Sequence, residues 1–74
     1  MPTVTIKSIK KQSVMSDEDF AFLKARINAP LRLMSITYWR SDNKVSTFAV
    51  YTPDSCISVF PEEQLVEFEV NYNA

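Results

Sequence analysis

Cys56 is the only cysteine in a chain with no histidine and no glycine, and those absences frame what chemistry its residues can do. A cysteine acts as a nucleophile through its thiolate, which needs an adjacent base or a cationic neighbour. No histidine exists to serve, and Ser55 and Ile57 flank the position. Cys56 is therefore expected to be a small buried apolar residue in a β-type run. The carboxylates Asp17, Glu18 and Asp19 offer hard-metal oxygens, but consecutive helix positions point in different directions and calcium loops place ligands at alternate positions around a glycine. Helix capping accounts for them. Glu67 and Glu69 share one strand face about 7 Å apart, a spacing open to a carboxylate pair. On a terminal strand they read as solvation of its wet face.

The lack of glycine removes the phosphate-cradling loops, which need backbone free of a Cβ. The lack of histidine removes the Ser-His-Asp and HExxH arrangements. No catalytic signature replaces them, so the chain is not expected to be an enzyme, and no cofactor or metal is expected.

Two groups of residues remain. Phe22, Trp39 and Tyr51 are aromatic positions left off the apolar stripes of their elements, and large aromatics stranded on a second face are typical anchors for protein partners. Lys7, Lys10, Lys11, Arg32, Arg40 and Lys44, taken with Tyr38 and Trp39, would instead suit single-stranded nucleic acid, whose bases stack on aromatics flanked by cations. Against that second reading stand a net charge of −1 and Tyr38 and Trp39 facing opposite sides of their strand. Charge is unevenly spread. Residues 1–52 hold all eight basic residues against four acidic ones, a balance of +4, whereas residues 53–74 hold five acidic residues and no basic one. Halves of opposite sign are expected to neutralise each other across a sheet.

The elements that must position these residues follow from pattern. Residues 3–10 are rich in β-branched types and read as a strand with Val4 and Ile6 on one face and Lys7 and Ile9 on the other. Ser16 is a good N-cap, followed by three acidic residues where the helix dipole favours negative charge. Met15 and Phe20 have the spacing of a hydrophobic staple, and Phe20, Leu23 and Ile27 form the buried stripe. Pro30 then limits the helix to about residues 17–28. Residues 31–52 read as a hairpin turning through residues 41–44. A three-residue loop would gather Met34, Ile36, Tyr38, Phe48 and Val50 on one face, with Asn43 or Lys44 at positive φ. Cys56 to Phe60 is a short strand stopped by Pro61, and residues 61–64 can form one helical turn with proline first. Residues 66–72 alternate apolar and polar, which makes a strand with one wet face whose glutamates suit Lys7 and Lys10 on the first strand.

The order β-α-β-β-β-β predicts a single small α+β domain spanning residues 1–74, with one helix packed on a mainly antiparallel sheet of four or five strands. The alternative is a small SH3-like barrel with a helical insert. A chain of 74 residues has a marginal core, so docking on a larger protein or self-association into a homodimer is expected. The single cysteine and the absence of a long apolar run predict a cytoplasmic, reducing setting and no membrane partner. These features favour a non-enzymatic protein-interaction module: an accessory subunit, or a small inhibitor or regulator of the kind viruses and mobile elements encode. The alternative is a nucleic-acid-binding domain using the basic half.

Overall fold

A computed structural model describes residues 2–10 and 15–72. The elements run β1 (Thr3–Ser8), α1 (Asp17–Lys24), β2 (Pro30–Tyr38), β3 (Val45–Tyr51), β4 (Cys56–Val59), α2 (Pro61–Gln64) and β5 (Glu67–Asn71). The five strands form one antiparallel sheet in the order β4-β3-β2-β1-β5. This is the α+β architecture that the pattern predicts. The sheet is rolled rather than flat. Three strand spacings separate β3 from β5, which in a flat sheet amounts to about 14 Å. Yet the rings of Phe48 on β3 and Phe68 on β5 lie 4.9 Å apart. The roll turns the inner faces toward each other, as in the barrel alternative.

Three bulges produce the bend. On β1 the register shifts between Ile6 and Ser8, leaving Lys7 as an extra residue. On β2 it shifts between Leu33 and Ser35, leaving Met34 over, at the place where β2 stops pairing with β1 and continues with β3. On β3 the partners of Thr37 and Tyr38 are Thr47 and Val45, so Ser46 is the extra one. Each bulge bends its strand and swaps which parity faces inward. Ile9 is accordingly buried with Val4 and Ile6 instead of opposing them. Leu31 and Leu33 fill the core where Met34 was expected, and Met34 and Tyr38 are exposed.

The hairpin differs from the favoured three-residue loop for the same reason. The Trp39 N–H donates to the Lys44 carbonyl at 2.8 Å, and the Asn43 N–H donates to the Trp39 carbonyl at 3.0 Å. These bonds close a loop of residues 40–43. The bulge at Ser46 then restores the parity that pairs Ile36 with Phe48. Asn43, one of the two residues expected at positive φ, takes it at 58°, and the Asp42 Oδ1 accepts from the Lys44 N–H at 3.0 Å.

Helix α1 begins as expected: the Ser16 Oγ accepts from the Asp19 N–H at 3.2 Å. It ends at Lys24, four residues before the expected boundary. Asn28, at φ 67°, redirects the chain and donates its N–H to the Ile6 carbonyl at 2.8 Å, tying the helix exit to β1. Leu23 is fully buried in the core formed with Val4, Ile6, Phe48, Val50, Ile57 and Val59, and Phe20 and Ile27 pack against it. Strand β5 pairs with β1, and the Lys7 Nζ lies 3.8 Å from the Glu69 carboxylate across that pair, the expected neutralisation of opposite charge.

Candidate functional site

The three aromatic positions singled out in the sequence do not share one surface. Phe22 is half-buried and packs against the core. It lines an open groove of about 350 Å³ with Glu18, Asp19, Pro53 and Ile57, between α1 and the β3–β4 turn. Arg26 lies over it, its guanidinium carbon 3.6 Å from the ring centre and Nη1 donating to the Phe22 carbonyl at 3.0 Å. Tyr51 is exposed, with the Arg32 guanidinium carbon 5.1 Å from its ring. Both rings thus already carry a cation of their own chain. Phe20 does too, with the Lys24 Nζ at 5.9 Å.

Trp39 differs. It sits just beyond β2, held by the two backbone bonds of the hairpin loop, and remains 48% exposed. It lines a groove of about 240 Å³ with Ser46, Phe60, Glu62 and Glu63. The bulge leaves Ser46 unmatched by a residue of β2, beside the Trp39 end of the hairpin. Phe60, Glu62 and Glu63 come from the junction of β4 and α2. No cation lies over the Trp39 or Phe60 rings, and neither Glu62 nor Glu63 forms an ion pair, among the described residues.

Sequence reasoning gave no role to the residue that fixes this junction, Gln64. Its side chain is fully buried. Oε1 accepts from the Phe60 N–H at 2.9 Å, and Nε2 donates to the Met15 Sδ at 3.6 Å. The Gln64 carbonyl accepts from the Lys10 N–H at 3.0 Å, and its N–H donates to the Phe60 carbonyl at 2.9 Å. One glutamine therefore joins α2 to the end of β1 and to the approach of α1. Its bond to the Phe60 N–H resembles the return arm of a capping box, displaced by one residue. Pro61 occupies the first helical position, where its missing N–H leaves no helical bond unmade, as expected. Leu65 closes the turn in the left-handed region, φ 49°. A glutamine followed by a residue at positive φ has no distinctive sequence pattern, so no signal marked it.

The basic residues are dispersed. Lys7 pairs with Glu69, Arg32 covers Tyr51, Lys10 is exposed beyond β1, and Arg40 and Lys44 lie at the hairpin tip. Lys11 lies outside the described residues. Cys56 is exposed, contrary to expectation, because β4 directs Ile57 and Val59 inward and alternation turns Cys56 and Ser58 out. Glu67 and Glu69 are exposed on β5, and among the described residues no group of three or more His, Cys, Asp or Glu side chains is placed to hold a metal ion. The Tyr38 hydroxyl bonds that of Tyr72, which raises the Tyr38 phenol above its ordinary value. Among the described residues no helix is long and apolar enough to cross a membrane. The chain matches no protein-family model, no curated protein and no solved structure.

Proposed function

We propose that this chain is a non-enzymatic protein-interaction module, an accessory subunit or small regulator that docks on a larger protein through the Trp39 groove. The carrying observation is Trp39 itself: half its surface stays in water, and Phe60 lies beside it in a concave site. Tryptophan is enriched among interface anchors, because it buries a large rigid surface at little entropic cost. Phe22 contributes through the core rather than as a free anchor, and Tyr51 is stacked under Arg32. The exposed thiol of Cys56 fits a reducing, cytoplasmic setting, where it stays free.

The test pairs light scattering with capture. Size-exclusion chromatography with light scattering over a concentration series establishes whether the chain self-associates. Affinity capture with the tagged protein and with Trp39→Ala follows, after circular dichroism has shown that the variant keeps its fold. Loss of the captured partner, or of the dimer, in Trp39→Ala is the expected result. Identical capture and identical mass for both proteins would remove the groove from the function.

A further inference from the structure

We infer that the Trp39–Phe60 groove seats one cationic side chain, arginine or lysine, from a basic segment of a protein partner; the assignment rests on the interaction reading above. It starts from a comparison within the molecule. Phe20, Phe22 and Tyr51 each lie under a cation of this chain, at 5.9, 3.6 and 5.1 Å. Trp39 has the ring that attracts a cation most strongly, and among the described residues it has none. Two aromatic residues and two glutamates line its groove, and among the described residues no basic side chain lines it and neither glutamate forms an ion pair. Lys44 lines the neighbouring groove with Glu62, and among the described residues it makes no ion pair with it.

Charge complementarity selects the occupant. An acidic or phosphate-bearing partner would meet Glu62 and Glu63, within a segment that carries five acidic residues and no basic one over 53–74. A purely apolar side chain would cover the rings but would bring two carboxylates toward a dry contact without partners, which is unfavourable. A guanidinium or ammonium satisfies both at once: its charged head faces the carboxylates while its face or stem lies on the rings. The groove volume of about 240 Å³ suits one long side chain rather than a helix face.

Trp39 is the chain's only tryptophan, so its emission reports on this groove alone. The intact protein is titrated with unstructured serine-rich peptides of equal length whose central residue is arginine, lysine, norleucine or glutamate. Saturable changes in Trp39 emission with the arginine and lysine peptides are expected, and none with the other two. The double variant Glu62→Gln, Glu63→Gln should bind the cationic peptides about fivefold more weakly, as two exposed charge contacts of this kind would dictate. Raising the salt concentration on the unaltered protein should weaken binding in the same direction, a check independent of any substitution. An equal response to norleucine, or no response to either cationic peptide up to millimolar concentration, overturns the cation seat. The interaction reading is judged separately, by the Trp39→Ala capture, and fails only if that variant keeps its partner.

Discussion

Replacing Gln64 by leucine, alanine and glutamate separates three consequences of burying one amide. Its side chain has no exposed surface, and its hydrogen bonds go to the Phe60 N–H and the Met15 sulfur. Gln64→Leu keeps most of the volume and removes the acceptor of a part-buried N–H. The lost bond and the stranded donor cost about 1–3 kcal/mol, which the better burial of leucine offsets by about 1–2 kcal/mol. The expected net loss is about 1 kcal/mol. Gln64→Ala adds a cavity against the core and should lose about 2–4 kcal/mol.

Gln64→Glu is the sharper probe, because its effect depends on pH. The carboxylate would keep the Phe60 bond but face the Met15 sulfur with no surface open to solvent. Burial disfavours the charged form, so the folded value is raised above the unfolded value of about 4.3. A group raised in the folded state keeps its contribution below the unfolded value and loses it as pH climbs through the folded one. A shift of about 2 units corresponds to a loss of about 2.7 kcal/mol once the group is ionised. Total stability for a chain of this length is about 4–11 kcal/mol, so that loss is easily measured. Urea melts followed by circular dichroism at about pH 4.5 and about pH 7.5 provide the assay, with the unaltered protein as reference at each pH. Relative to it, Gln64→Glu should be far less stable at the higher pH and only slightly less stable at the lower. Equal relative stability at both would mean that the carboxylate reaches water, and the account of Gln64 as a dry joint would be wrong.

Other expected outcomes are simpler. Leu65 holds φ 49° with most of its surface exposed, so Leu65→Gly relieves a left-handed strain at little loss of packing. It should gain about 0.5–1 kcal/mol in the same melts, and a loss would show that the Leu65 side chain packs more than its exposure suggests. Ser16→Ala removes the N-terminal side-chain cap of α1 and should cost about 1 kcal/mol. Tyr38 should titrate above the ordinary phenol value and move down in Tyr72→Phe, read by ultraviolet absorbance. Because the folded value is raised, the contact's contribution is complete below the ordinary value and is lost as pH rises through the raised one; an unchanged Tyr38 titration in Tyr72→Phe would discount the contact.

Much of this fold is readable from side-chain period. The cap at Ser16, the proline-led turn at residues 61–64, the alternation of β5 and the pairing of Lys7 with Glu69 all follow from residue type at a fixed spacing. The lack of glycine narrows the left-handed residue of the hairpin turn to Asn43 or Lys44, and Asn43 adopts it, as asparagine tolerates positive φ better than most. The errors cluster at the bulges. Strict alternation sends Ile9 outward and Met34 inward, whereas one extra residue at Lys7 and another at Leu33–Ser35 invert both. A bulge answers to the roll of the whole sheet, and nothing local in Lys7, Met34 or Ser46 announces it. Cys56 departs from its expected burial, and Gln64 carries no sequence signal, for a different reason. Cysteine is usually buried and glutamine usually exposed, and here strand alternation and a single buried hydrogen-bonded joint reverse both tendencies.

The candidate groove depends on the same tertiary events, which is why residue type alone does not set Trp39 apart from Phe22 and Tyr51. What separates them is where cations end up. Arg26 follows Phe22 by four positions and reaches back over it from the turn after α1, a relation that sequence spacing does contain. Arg32 reaches Tyr51 only because β2 and β3 pair as they do. Trp39 escapes both routes: among the described residues neither Arg40 nor Lys44 lies over its ring, and the groove draws its remaining walls from Ser46, Phe60 and the two glutamates of α2. Gln64 fixes that wall through the backbone of Phe60. A substitution at Gln64 that leaves the domain folded should therefore weaken occupation of the groove without touching any residue that lines it.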